Sequence, residues 1–69
     1  MNILRLNKGE LEATLVQRKD KITYNITAGK EVQQQEEVTA SGKINETYVS
    51  SVLKTLLNDG FILTEIITN

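Results

Sequence analysis

Val49-Ser50-Ser51-Val52-Leu53-Lys54-Thr55-Leu56-Leu57-Asn58-Asp59-Gly60-Phe61-Ile62-Leu63-Thr64-Glu65-Ile66-Ile67 changes its periodicity at one glycine, and that change decides the fold. Ahead of Gly60, Val49, Val52, Leu53, Leu56 and Leu57 fall at i, i+3, i+4, i+7 and i+8, the apolar stripe of an amphipathic helix. Behind it, Phe61 to Thr68 is rich in β-branched and aromatic residues and reads as a strand. Gly60 follows Asp59 where a helix commonly ends on a left-handed residue, with Phe61 placed to touch Leu56. At the other end, Asn45 is expected to cap the helix and Ile44 to pack on Val49 as a hydrophobic staple. A helix of about 14 residues spans about 21 Å, and a strand of about seven covers nearly the same length. The chain can therefore cross a sheet as helix and return to it as strand.

Upstream the period is two. Leu4 and Leu6 share one face of a first strand, and Asn7-Lys8-Gly9 fits a three-residue hairpin loop. Glu10 to Gln17 forms a second strand with Leu11, Ala13 and Leu15 inward. After the polar turn Arg18-Lys19-Asp20-Lys21, Ile22, Tyr24 and Ile26 alternate with Thr23, Asn25 and Thr27. Ala28-Gly29-Lys30 turns the chain into Glu31 to Thr39, whose charged and amide side chains suit a sheet edge. Ala40-Ser41-Gly42-Lys43 then breaks the pattern before the helix. The fold predicted is α+β: a three- or four-strand antiparallel meander, one helix on one face and a C-terminal return strand, ββββαβ. Residues 1–69 make a single small domain, with Leu11, Leu15, Ile22, Tyr24, Ile26, Val49, Val52, Leu53, Leu56 and Leu57 as its core.

Composition narrows the chemistry. The 69 residues carry eight Lys and Arg against nine Asp and Glu, and contain no His, Cys, Trp or Pro. A disulfide framework and thiolate or imidazole metal sites are thereby excluded, as is Cys or His catalysis. No group titrates near neutrality without a large shift, so an enzyme is not expected, and neither cofactor nor metal is. A net charge of −1 fits neither a strongly basic nucleic-acid binder nor an acidic mimic of one. A domain this small has a thin core and usually needs a staple. With cysteine absent, self-association is the remaining candidate. Met1 to Leu6 has no basic segment leading a long apolar run, and no stretch is long enough to span a membrane. The expectation is a cytoplasmic protein, with a composition of bacterial or phage type. The sequons at Asn25 and Asn45 are then accidental.

One segment departs from the one-faced rule. Read as regular strand, the last element points Phe61, Leu63 and Ile67 one way and Ile62 and Ile66 the other, so both faces are apolar. The single helix can cover only one of them. Ile62 and Ile66 beside Val16 and Ile3 would form a contiguous exposed patch, the kind that marks an interface. Gln33 and Gln35 on the fourth strand offer a second place for strand addition.

Other patterns weigh less. Ser51-Val52-Leu53-Lys54 spells the S-x-x-K of penicillin-binding proteins, which require a far larger domain. Ile44 to Ile62 is similar to the recognition helix and wing start of winged-helix regulators, in its V-S-x-x-L-x-x-L-x-x-x-G-apolar-I spacing. That resemblance implies DNA reading by the helix at 45–59, but no helices precede it and only Lys54 is a cation on its exposed face. Arg18, Lys19 and Lys21 at a hairpin tip could touch phosphate. Glu36 and Glu37 point to opposite faces of a strand and do not converge on a cation. Tyr24 and Tyr48 could stack bases, although Tyr24 belongs to the inward set.

The function expected is therefore a non-catalytic, regulatory protein–protein interaction module. It would be a homodimer that binds another protein through the sheet face or edge at Ile3, Val16, Ile62, Ile66, Gln33 and Gln35. The alternative is a small nucleic-acid-binding protein using Arg18, Lys19, Lys21 and Lys54. No membrane partner is expected.

Overall fold

The computed structural model describes residues 1–69 as β1 (Asn2–Lys8), β2 (Leu11–Gln17), β3 (Lys21–Ala28), β4 (Glu31–Thr39), α1 (Gly42–Asn58) and β5 (Ile62–Thr68). The strands form one sheet in the order β4-β3-β2-β1-β5, with every neighbouring pair antiparallel. This is the ββββαβ arrangement expected, with all four strands of the meander in place. β1 is not peripheral: β5 returns to its free side, so β1 lies between two partners.

Two hairpins share one device. Lys8 pairs with Leu11 and Ala28 with Glu31, leaving the two-residue loops Gly9-Glu10 and Gly29-Lys30. Gly9 has φ +58° and Gly29 φ +61°, while no other residue type has a positive φ. Positive φ at the first loop position alone is the mark of a type II′ turn, whose twist matches that of the strands. The expected three-residue loop Asn7-Lys8-Gly9 is thus corrected: Asn7 and Lys8 stay in the ladder and Glu10 leaves it.

The helix begins a turn earlier than expected. Ser41 takes the extended N-cap conformation, and Asn45 lies inside the helix, 3% exposed. Its amide nitrogen donates to the carbonyls of Ala40 (2.8 Å) and Arg18 (3.0 Å), and its oxygen accepts from the Gln17 amide (2.8 Å). Asn45 thus ties the helix start to the β2–β3 turn. Ile44 is 73% exposed, so it packs no staple. The C-terminal reading holds: Phe61 N–H donates to Leu56 O (3.0 Å) and Gly60 N–H to Leu57 O (3.2 Å), with Gly60 at φ +98°. Those two bonds make a Schellman motif, and its usual apolar contact falls between buried Leu56 and Phe61.

The core is Leu6, Ala13, Leu15, Ile22, Tyr24, Val49, Leu56 and Phe61, with Leu4, Leu11, Ile26, Tyr48, Val52, Leu53 and Leu63 packed around it. Each buried Leu, Ile or Phe contributes about 1.5–3 kcal/mol. Leu57, expected inside, is 46% exposed. Leu56 takes the inward position beside Phe61, and the next residue along a helix turns about 100° away from it. Val38 is the only half-buried residue of β4 and the rest are exposed, as suits an edge strand.

Candidate interaction surface

The register of β5 on β1 is broken once. Asn7 opposes Ile62 and Leu6 opposes Leu63; beyond the break, Arg5 opposes Glu65, Leu4 opposes Ile66 and Ile3 opposes Ile67. Thr64 is the extra residue of a β-bulge. Its hydroxyl shares its proton between the Asn7 side-chain oxygen (2.9 Å) and the Arg5 carbonyl (3.2 Å). A bulge sets two consecutive side chains on one side and so reverses the alternation beyond it.

Directly opposed residues share a face, so the faces can be read across the sheet. Leu63 beside Leu6 and Ile66 beside Leu4 lie on the helix side, whereas Ile62 beside Asn7 and Ile67 beside Ile3 lie on the other. The expected grouping is therefore corrected. Ile67, not Ile66, joins Ile3 and Val16 in one row on the outer face, all three half-buried. Ile62 stands at the far end of that face, 67% exposed, and Ile66 is 61% exposed on the helix side. Both faces of β5 are apolar, as the sequence suggested, but with membership exchanged beyond Thr64.

A second bulge lies on the opposite edge. Ile26 pairs with Gln34 and Thr27 with Val32, leaving Gln33 extra, while Gln35 opposes Asn25 on the outer face. Gln33 and Gln35 are thus on the β4 edge, with three strands between them and β5. They do not join the isoleucines in one patch.

Charge sharpens the contrast between the edges. β4 holds Glu31, Glu36 and Glu37, of which Glu37 meets Lys21 at 3.7 Å. β5 holds one acid, Glu65, and Arg5 lies 3.1 Å from it. Lys8 bridges to Asp59 at 3.5 Å and lies 5.8 Å from the centre of the Phe61 ring, tying the helix end to β1. The remaining candidate cations do not converge: Arg18 and Lys19 border the helix start, Lys21 is engaged with Glu37, and Lys54 lies three turns along α1.

Between α1 and the β3–β4 side runs an open cleft of about 620 Å³, lined by Tyr24, Ile26, Glu36, Val52, Leu56 and Phe61 among others. The Tyr48 hydroxyl donates to Glu36 at its rim (3.1 Å). Burial first, then that bond and the Glu36 charge, push the Tyr48 phenol above its ordinary value. Burial and then the charges of Glu36 and Asp59 do the same to Tyr24. Both phenols stay protonated at neutral pH, which makes them hydrogen-bond donors and poor nucleophiles. No three acids converge on a metal position, and no helix is long and apolar enough to cross a membrane.

Comparison with protein-family models, with curated proteins and with solved structures finds no match. The residues themselves carry the functional argument.

Proposed function

We propose that this chain is a non-catalytic protein-interaction module that self-associates, and engages a protein partner, through β5. One observation carries the reading: β5 is an edge strand with apolar side chains on both faces, while the single helix lies over β2 and β3. Ile62 and Ile66 expose most of their area, and covering each contributes about 1.5–3 kcal/mol. An edge strand also offers unpaired backbone N–H and C=O groups, which a second chain satisfies by strand addition. A formal net charge of −1 leaves little repulsion between copies. The cytoplasm remains the proposed location. Catalysis gains no support from the cleft, whose phenol–carboxylate pair supplies no activated nucleophile.

The test is sedimentation equilibrium over a wide concentration range, on wild type and on Ile66→Glu. Reversible association that Ile66→Glu weakens supports the reading, since Ile66 is exposed and its replacement spares the core. A wild type that stays at 7.7 kDa throughout, with solubility indifferent to Ile66→Glu, would remove it.

A further inference from the structure

We infer that the occupant of the β5 edge is the β5 edge of a second copy, paired antiparallel about a two-fold axis between Thr64 and Glu65. This deepens the reading just given and rests on it. Along β5 the faces run outer, helix side, outer from Ile62 to Thr64, then outer, helix side, outer from Glu65 to Ile67, because the bulge inverts the alternation. That order is a palindrome. An antiparallel two-fold pairing keeps a sheet continuous only if opposed residues share a face. About this axis every pair does: Ile62 meets the partner's Ile67, Leu63 meets the partner's Ile66, and Thr64 meets the partner's Glu65. The four flanking pairs are all apolar. Moving the axis onto Glu65 would oppose like charges and set Leu63, on the helix side, against the partner's Ile67, on the outer face.

Charge selects this edge over the other. Glu65 is already compensated by Arg5 at 3.1 Å and meets a threonine across the axis, whereas a β4 edge would bring three glutamates per copy together. The product is a ten-stranded sheet with both helices on one face.

The chain has no cysteine, so cross-links can be introduced singly. Ile62→Cys and Ile67→Cys are mixed in equal amounts under mild oxidation. The mixed disulfide should form about tenfold or more faster than either homodisulfide, because identical positions lie about 17 Å apart along the paired strands, beyond disulfide reach. A second measurement covers the chance that a cysteine perturbs the strand. Deleting Thr64 restores unbroken alternation, and the face-matched two-fold register that keeps the whole of Ile62 to Ile67 paired then sets Glu65 against the partner's Glu65. Association should weaken about threefold or more and return when Glu65→Thr is added to the deletion. Homodisulfides forming as readily as the mixed one, fastest linkage between Glu65→Cys copies, or association untouched by the Thr64 deletion would overturn this geometry. If wild type associates in any of those cases, the interaction reading survives and only the edge register falls. A monomeric wild type removes both.

Discussion

Tyr24 and Tyr48 share one carboxylate, and their titration follows from it. Burial and Glu36 hold both phenols above 10.0 in the folded chain, so the folded state keeps protons that the unfolded state releases. A group raised on folding stabilises fully below its unfolded value, and that contribution is lost as pH climbs through the folded value. The stabilising effect is therefore complete up to about pH 10 and disappears above it. Tyrosinate absorbance during alkaline titration should give both midpoints above 10.0 in wild type and lower midpoints in Glu36→Gln. A midpoint at or below 10.0 in folded wild type would contradict the assigned causes. Tyr24 was legible as core from the alternation Ile22, Tyr24, Ile26; its partnership with Glu36 was not. It depends on β4 pairing in a register that its own polar sequence does not specify.

Among the elements, β2 and β3 were read with the right inward sets and β4 as the polar edge that it is, whereas the phase of β5 and the start of α1 were not. β2 and β3 present an unambiguous inward set, and the Val49 to Leu57 stripe ends on a glycine whose Schellman motif forms as the spacing requires. β5 has isoleucine or leucine on both faces, so nothing local fixes its phase, and a single bulged threonine exchanged Ile66 and Ile67. The helix start was misread for a different reason. Gly42 and Lys43 look like loop, and asparagine is a favoured cap, yet Asn45 serves better as a buried clamp between α1 and the β2–β3 turn. Two of its three bonds are donated by the amide nitrogen to carbonyls. Asn45→Asp is nearly isosteric and removes both donors, leaving a carboxylate against the Ala40 and Arg18 carbonyls. We expect a loss of about 2–4 kcal/mol in denaturant unfolding, despite the gain an acid normally makes near a helix N-terminus. An Asn45→Asp protein as stable as wild type would show that the clamp contributes nothing.

At the scale of the whole molecule, one helix serves five strands. It closes over β2 and β3, leaves β4 polar and exposed, and leaves Ile62 and Ile66 of β5 largely exposed. This asymmetry was legible as a count of faces against lids. The membership of the exposed part was not, because the expected patch set both Ile62 and Ile66 beside Ile3 and Val16, and the bulge at Thr64 moves Ile66 to the helix side and brings Ile67 to Ile3. A small domain with a thin core gains most from a second copy where its own coverage ends, and here that is the β5 edge.

Hydrogen exchange read residue by residue at micromolar and millimolar protein tests that claim most directly. The β5 amides that point away from β1 should become protected as concentration rises, while their counterparts on β4 stay open to solvent throughout. Outward amides of β5 that exchange as fast as those of β4 at every concentration would contradict the account.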